Sequence, residues 1–145
     1  MILRLATMKD LEELEKFVDD YQIYRILMAG FKFDEEVFKS QLIKSICCNN
    51  TFTIDLNGKI IGGIFGTVQE SIFSKDLFYV VMSFYIESEY RNFTHEALSD
   101  LEEILRKTSI SRICLGCPAF LGNEKLDRYY KIKGFSKLET FYTKD

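Results

Sequence analysis

The stretch FYIESEYRNFTHEAL, residues 84–98, decides the fold of this chain. An apolar segment ends at Ile86, a charged turn follows, and the pattern of a helix begins near Thr94. Strand-turn-helix units of this kind bind phosphate through the free amides and the dipole of the helix start, and glycines normally let the ligand approach the backbone. This turn contains no glycine. The stretch therefore predicts a fold built around a phosphate site that has been weakened.

The amino-terminal half of the chain predicts a strand, two helices and a β-hairpin. The first residues read as a short strand, after which Thr7 and Asp10 open a first helix. Asp34 caps a second helix, and Asn57-Gly58 is a strong signal for the two-residue turn of a hairpin. One side of the second helix is apolar and is predicted to be buried: Val37, Phe38, Leu42 and Ile46.

The carboxy-terminal half predicts a central strand followed by a strand-helix-strand crossover. Residues 77–86 form a nearly continuous apolar run, which is typical of a strand covered on both faces. The elements after it are a helix from about Thr94, a strand over residues 112–115, a helix over residues 123–132 that stops at Gly134, and a last strand from Phe135. The order β-α-α-β-β-β-α-β-α-β predicts one α/β domain over residues 1–145, with a mixed sheet between helices.

Composition and charge exclude several function classes. The 145 residues are 47% hydrophobic and carry a net charge of -3, with no basic pattern typical of nucleic-acid binding. No apolar run is long enough to span a bilayer, and the first residues do not resemble a secretory signal. We therefore expect a cytoplasmic protein with neither a nucleic-acid partner nor a membrane segment.

The four cysteines are expected to be free thiols. Cys47 and Cys48 are adjacent, and Cys114 and Cys117 lie on or just after a predicted strand, which makes a poor disulfide framework. A zinc site would have to combine Cys114-x-x-Cys117 with Cys47, Cys48 or His95, but the paired ligand spacing of structural sites is missing, so no metal site is predicted. A redox role for Cys114-x-x-Cys117 would need the pair to be exposed at a helix start, and the strand placement argues against it.

Four segments resemble the GCN5-related N-acetyltransferase (GNAT) family, and together they extend over essentially the whole chain. The opening LRLATMKDL and the hairpin NGKIIGG match weakly specific parts of that family. Residues 123–135, N-x-x-L-x-x-Y-Y-x-x-x-G-F, resemble the family's N-x-x-A-x-x-F-Y-x-x-x-G-F ending with complete spacing. Residues 84–91 resemble its fourth strand and the start of its R/Q-x-x-G-x-G/A loop. The resemblance implies a GNAT-like α/β fold, with a mixed, mostly antiparallel central sheet and helices on both faces.

The loop departs from the family pattern at its glycines. Arg91 keeps the first position, whereas Thr94 and Glu96 occupy the two glycine positions. The resemblance implies that the loop amides receive the pyrophosphate of acetyl-CoA. Thr94 then adds bulk there, and Glu96 adds a negative charge unless its side chain points away. The residues implied in cofactor binding are Tyr85, Ile86, Arg91, Asn92, Phe93, Thr94, His95, Glu96 and Asn123.

Acetyl transfer to an amine needs a neutral nucleophile, a polarised carbonyl and a proton for the departing thiolate. By resemblance, backbone groups around Tyr85 and Ile86 hold the acetyl carbonyl, and Tyr130 is the catalytic proton donor. The alternative for Tyr130 is simple packing, and the alternative for Asn123 is an ordinary helix cap. His95 is expected to be an exposed helix residue rather than a base. The predicted fourth strand has no acid, so the general base stays unassigned.

Two functions follow from the resemblance. The first is an acetyl-CoA-dependent N-acetyltransferase whose acceptor is an unidentified amine of a small molecule or a protein. The second is a non-catalytic protein of the same fold with a binding, accessory or structural role, which Thr94 and Glu96 favour. In length and loosened loop the chain also resembles acetyltransferase-like proteins encoded among tailed-phage structural genes. Residues 22–33 and 69–76 are expected to shape the acceptor site. Candidates for a homodimer contact are Phe31, Phe73 and Phe141.

Overall fold

The computed structural model describes residues 1–17, 33–116 and 124–137. Within these ranges one sheet has the strand order β1-β2-β3-β4-β5, antiparallel from β1 to β4 and parallel between β4 and β5. The strands are β1 Ile2–Leu5, β2 Thr51–Leu56, β3 Lys59–Glu70, β4 Leu77–Ile86 and β5 Ile110–Leu115. The prediction of a mixed, mostly antiparallel sheet is confirmed.

The helices follow the predicted order. They are α1 Leu11–Lys16, α2 Glu35–Cys47, α3 Thr94–Arg106 and α4 Glu124–Ile132, with short 3-10 helices at Met8–Asp10 and Ser88–Phe93. Gly134 has φ +84°, the left-handed conformation predicted for the stop of α4. Residues 135–137 are not in a strand, and the rest of the predicted last strand lies outside the described residues. Within the described ranges, none of the helices has the length and apolar character needed to cross a bilayer.

A charged network fixes the start of α1. The Thr7 amide donates a hydrogen bond of 2.7 Å to Asp10 Oδ2, and Arg4 donates two hydrogen bonds of 2.9 Å to the same carboxylate. Chiefly because of the Arg4 hydrogen bonds, the pKa of Asp10 falls to about 2, well below its ordinary value. The predicted capping pair is therefore present, and Arg4 ties it to β1.

One predicted core residue of α2 is wrong. Asp34 Oδ1 accepts a hydrogen bond of 3.0 Å from the Val37 amide, as expected of a cap, and Leu42 and Ile46 are buried. The Val37 side chain, however, is 56% exposed. Phe38, Leu42 and Ile46 recur every four residues and define the buried stripe, whereas Val37 is rotated away from that stripe.

The hairpin between β2 and β3 forms as predicted. Asn57 and Gly58 both have positive φ, +55° and +87°, which is the geometry of a tight hairpin turn. The pairing shifts by one residue beside Gly62. A Cβ atom on Gly62 would lie 2.3 Å from the Tyr85 carbonyl oxygen. Gly62 therefore marks both a bulge and a close backbone approach to β4.

Two apolar clusters lie on opposite faces of the sheet. The larger one joins the sheet to α3 through Ala97, Leu101 and Leu105. The second one joins the sheet to α1 and α2, and its buried members are Ala6, Leu14, Phe17, Leu42 and Ile46. Consecutive residues of β4 serve both clusters, since Ile86 belongs to the first and Tyr85 packs against the second. Helices on both faces of the sheet are therefore confirmed.

Candidate functional site

Strands β4 and β5 are paired over only part of their length. Their parallel register runs from Leu77 opposite Ile110 to Val81 opposite Leu115. Residues 82–86 continue β4 beside β3, but among the described residues no strand lies along their other edge. Successive residues of a strand direct their backbone N–H and C=O groups to opposite edges, so part of this backbone faces the open edge. We call this opening the β4–β5 gap.

A β-bulge lies at the start of the gap. Phe65 is opposite Ser83 and Gly66 is opposite Val81, so Met82 has no cross-strand partner in β3. The Met82 side chain is 54% exposed. A bulge re-aims the backbone of its strand. The bulge and the end of β5 thus fall at the same level of the sheet.

Tyr130 lies at the mouth of this gap. Its phenol donates a hydrogen bond of 3.2 Å to the carbonyl oxygen of Gly116, the residue that follows β5. Its ring also lies 5.8 Å from that of Phe135 and 6.1 Å from that of Tyr129. The fold therefore brings the predicted proton donor to the point where β4 and β5 separate, although the same contacts pack α4.

The phenol of Tyr129 lies in different surroundings from that of Tyr130. Its hydroxyl oxygen is buried and has no hydrogen-bond partner in the described part of the chain. Burial, with a smaller contribution from Glu102, raises the pKa of Tyr129. Two adjacent phenols of α4 thus occupy different surroundings, and that of Tyr130 donates a hydrogen bond to the residue after β5.

The side chains of the two residues at the glycine positions each have a partner in the described chain. The Thr94 hydroxyl donates a hydrogen bond of 2.7 Å to the Arg91 carbonyl oxygen. Glu96 Oε1 lies 3.9 Å from the Met1 amino nitrogen, so this half-exposed carboxylate is on the β1 side of α3. The loop therefore still has the helix start, but not the bare backbone that glycines would provide.

The turn that leads to α3 is anchored by two rings. Phe93 packs against the larger apolar cluster, as does Tyr90. Arg91 and Asn92 are exposed. Of the predicted cofactor-binding side chains in this turn, Phe93 therefore serves the core, and Arg91 and Asn92 remain open to a ligand.

His95 has a partner that the sequence did not indicate. Lys133 Nζ donates a hydrogen bond of 2.8 Å to His95 Nε2, and His95 Nδ1 lies 3.5 Å from Ser99 Oγ. His95 is exposed in the first turn of α3, as expected. Lys133 was missed because it stands at a variable position of the carboxy-terminal motif. The only signal in the sequence was a basic residue next to Gly134. In the structure, the Lys133 ammonium lies at the start of α3.

The nearest acids after β4 are occupied elsewhere. Lys59 Nζ lies 2.8 Å from a Glu87 carboxylate oxygen and 3.7 Å from one of Glu89. The same ammonium lies 4.8 Å from the centre of the Tyr90 ring. Glu87 and Glu89 are therefore held beside β3, and neither β4 nor β5 contains an acid.

Several sequence predictions lie outside the described residues, namely those on Asn123, Cys117, Phe31, Phe141 and residues 22–32. Phe73 is described and is 92% exposed in the turn between β3 and β4. Cys114 is half-buried in β5, and burial raises the pKa of its thiol. Among the described residues, no group of three or more His, Cys, Asp or Glu side chains is arranged to hold a metal ion.

Several solved structures described as acetyltransferases share this architecture. A possible acetyltransferase from Clostridium difficile 630 is 18% identical with a TM-score of 0.77, covering 99% of this chain and 96% of that chain. A GNAT family acetyltransferase from Staphylococcus aureus is 22% identical with a TM-score of 0.66, covering 99% and 97%. The chain has the GNAT fold. A predicted acetyltransferase with acetyl-CoA from Clostridium acetobutylicum gives 18% identity, a TM-score of 0.72 and coverage of 99% and 95%. No family model and no curated protein matches the sequence.

Proposed function

We propose that this GNAT-fold chain is an acetyl-CoA-dependent N-acetyltransferase that acts on an amine. The observation that carries the proposal is the β4–β5 gap with the Tyr130 hydroxyl at its mouth. An extended pantetheine arm can add to the open edge of β4 as a further strand would, through backbone hydrogen bonds. The side chains of Tyr85 and Ile86 pack in the two clusters, which leaves their backbone as the part that meets the ligand.

Tyr130 is proposed to protonate the leaving sulfur. Acetyl-CoA, when bound, supplies a thioester whose thiolate must gain a proton. A phenol with a pKa of about 10 is close enough to a thiol to donate that proton. Tyr130 already donates to the Gly116 carbonyl oxygen, so its hydroxyl is directed at the end of β5. A small rotation of the side chain would redirect it to a sulfur in the gap.

The phosphate end of the cofactor is proposed to meet a weakened site at the start of α3. Arg91, Asn92 and the amides of residues 92–96 would face the pyrophosphate, with Lys133 and His95 beside them. Glu96 opposes this by placing a carboxylate on the same turn. Asn123 is proposed to contact the pantetheine or to cap α4. The affinity for acetyl-CoA should therefore come mainly from the gap.

Calorimetry on the purified protein tests this proposal with three ligands: acetyl-CoA, coenzyme A and acetyl-pantetheine, which lacks the nucleotide and pyrophosphate. We expect acetyl-CoA to bind in the micromolar range and to raise the melting temperature. Acetyl-pantetheine should bind with an affinity within about tenfold of that of acetyl-CoA, since the gap carries most contacts. Failure of both acetylated ligands to bind at millimolar concentration would overturn the proposal.

The second candidate function is a non-catalytic binding or structural role. Thr94 and Glu96 at the glycine positions favour it, because they remove the close backbone approach and add a negative charge. This candidate predicts no acetyl-CoA binding and no thermal shift. The same calorimetric series therefore separates the two candidates in one experiment.

A further inference from the structure

Ser83 is a buried hydroxyl group without a partner. The residue is 8% exposed, and its Oγ atom has no hydrogen bond to any of the described residues. Buried polar atoms in proteins are usually hydrogen-bonded, because leaving one unpaired costs stability. The described residues contain two further buried hydroxyls in this state, those of Thr53 and Tyr129, and Ser83 is the one that lies on β4, the strand that borders the β4–β5 gap.

The position of Ser83 coincides with the start of the β4–β5 gap. It follows the bulged Met82, and it lies just beyond Val81, where the pairing with β5 ends. Side chains two residues apart on a strand share a face, so Ser83 is on the same face as Tyr85. That face is the one packed by α1 and α2.

The surroundings of Ser83 are aromatic and contain no strand carboxylate. Its cross-strand partner is Phe65, whose ring packs edge-on to that of Phe38 at 6.1 Å. Tyr85 lies next to Phe17 with ring centres 4.9 Å apart. In the described strands beside the gap, the acid closest to Ser83 along the sheet is Glu70. It lies at the far end of β3, opposite Leu77 at the start of β4. An ammonium group entering here would lose hydration without gaining a counter-charge from the described strands beside the gap.

We propose that Ser83 Oγ accepts a hydrogen bond from the acceptor amine, and that this acceptor is a weakly basic primary amine, such as the α-amino group of a peptide. This inference rests on the proposed acetyl-transfer function. It adds an acceptor-binding residue and an acceptor class.

The basicity of the acceptor matters because only the neutral amine attacks. An α-amino group has a pKa of about 8, so about a tenth of it is neutral at pH 7. A lysine side chain, with a pKa of about 10.4, is neutral to only about 0.04% at that pH. Since neither β4 nor β5 has a carboxylate that could remove the proton, the α-amine starts with an advantage of about two hundredfold. Ser83 orients this neutral form by binding one of its N–H groups.

The proposed transfer forms one C–N bond and breaks one C–S bond. The amine lone pair forms the new C–N bond at the acetyl carbonyl carbon, and the C–S bond breaks with its electrons on sulfur. The nitrogen loses one proton to water, and Tyr130 gives one proton to the sulfur and is reprotonated by water. The products are one acetamide and one thiol, with no oxidant or reductant needed.

Two matched peptides test the acceptor class, and two variants test the residue. The peptides are Ala-Gly-Phe-amide, with a free α-amine, and N-acetyl-Lys-Gly-Phe-amide, with a free side-chain amine. The variants are Ser83→Ala and Thr53→Val. Thr53 is the control because it also carries a buried Oγ atom without a partner in the described residues, but on β2, two strands from β4.

We expect the wild-type protein to acetylate the α-amino peptide with a kcat/KM at least about tenfold above that of the lysine peptide. Ser83→Ala should raise KM for the α-amino peptide about tenfold and leave the acetyl-CoA affinity and melting temperature unchanged or higher. It should also weaken calorimetric binding of N-acetyl-Ala-Gly-Phe-amide, the reaction product. Thr53→Val should leave all these binding constants unchanged.

Each contrary result is distinct. Equal KM values for Ser83→Ala and the wild type would overturn the role of Ser83. A preference for the lysine peptide, or acetyl-CoA binding with no acetylation of either peptide, would overturn the acceptor class. A wild-type protein that binds no acetyl-CoA would instead overturn the proposed function itself.

Discussion

The two ends of the candidate site differ in how they are built. The β4–β5 gap is made by strand pairing that stops at Val81, and its opening does not depend on any single side chain. The start of α3 would need glycines to bring phosphate onto the backbone, and it has Thr94 and Glu96 instead. The gap is formed by the pairing of the strands and therefore tolerates changes of side chain. The phosphate site depends on glycine at two positions, so side chains at those two positions are enough to weaken it.

The β4–β5 gap can be disrupted by a substitution at Gly62. Replacement by valine places a Cβ atom 2.3 Å from the Tyr85 carbonyl oxygen, and neither backbone can move without disturbing the sheet. We expect Gly62→Val to lower the free energy of unfolding by about 3 kcal/mol, since overpacking a rigid contact costs that order of energy. Urea denaturation followed by circular dichroism measures the change.

Gly116 provides the matched glycine. It has no atom within 4 Å of a Cβ position, so Gly116→Ala should change the unfolding free energy by less than about 0.5 kcal/mol. An equally small loss for Gly62→Val would show that the approach of β3 to β4 is not a fixed part of the gap.

The gap can be tested chemically at Tyr130. Removing its hydroxyl in Tyr130→Phe should slow acetyl transfer by about a hundredfold, the lower range for a lost proton donor. The calorimetric affinity for acetyl-CoA should stay within a factor of about two, because the phenol acts on the leaving sulfur rather than on binding. Single-turnover kinetics with the α-amino peptide provide the rate.

Tyr129→Phe is the control for this substitution. It deletes the neighbouring phenol on the same helix, whose oxygen is buried without a described partner. Its rate should equal that of the wild type. A similar loss in both variants, or equal loss of rate and affinity in Tyr130→Phe, would assign Tyr130 to packing.

The sequence predicted what depends on local pattern. The bounds of β4, the turn at Asn57-Gly58 and the stop at Gly134 agree with the structure because periodicity and positive φ are local properties. Val37 was wrong because an apolar residue at a helix start can lie beside the buried stripe.

The site was less predictable because it depends on contacts distant in sequence. The hydrogen bond from Lys133 to His95 joins the residue after α4 to the first turn of α3, and no periodic pattern in the sequence predicts it. The place of Ser83 at the start of the β4–β5 gap depends on where β5 ends, which strand patterns locate only approximately. The position of Tyr130 was available only through a motif, since a tyrosine on a helix has no pattern that distinguishes catalysis from packing.

The stability of the fold in acid affects experiments on both ends of the site, and Asp10 contributes to it. Its pKa of about 2 in the folded protein lies below the ordinary value of about 3.9 in the unfolded chain. The carboxylate therefore stabilises the fold above pH 4, and this stabilisation, about 2 kcal/mol, is lost as the pH falls from about 5 to 2. Urea denaturation at several pH values should show this loss in the wild type.

The Asp10→Asn variant should be less stable at pH 7 and should lack this part of the acid dependence. Arg4 would then lose its bidentate partner. An unchanged slope of stability against pH between 5 and 2 would show that other carboxylates govern acid unfolding. Binding experiments on either end of the site are best made above pH 5, where Asp10 is ionised in both states.

The smallest expected effect is at the start of α3. The double variant Thr94→Gly, Glu96→Gly should tighten acetyl-CoA binding by about tenfold, because it restores the backbone approach and removes a carboxylate that repels phosphate from the β1 side of α3. Calorimetry with acetyl-pantetheine gives the comparison, since this ligand lacks the pyrophosphate. Its affinity should not change.

Glu103→Gln is the matched charge control, because Glu103 lies on the same helix and pairs with Lys107 in the last turns. This variant should change the affinity for neither acetyl-CoA nor acetyl-pantetheine. Tightening of acetyl-CoA alone would mean that the helix start still meets the pyrophosphate and has only been weakened. If both ligands tighten, the substitutions act through the fold. If neither ligand responds, the cofactor is held by the gap alone, and the contrast between the two ends of the site is complete.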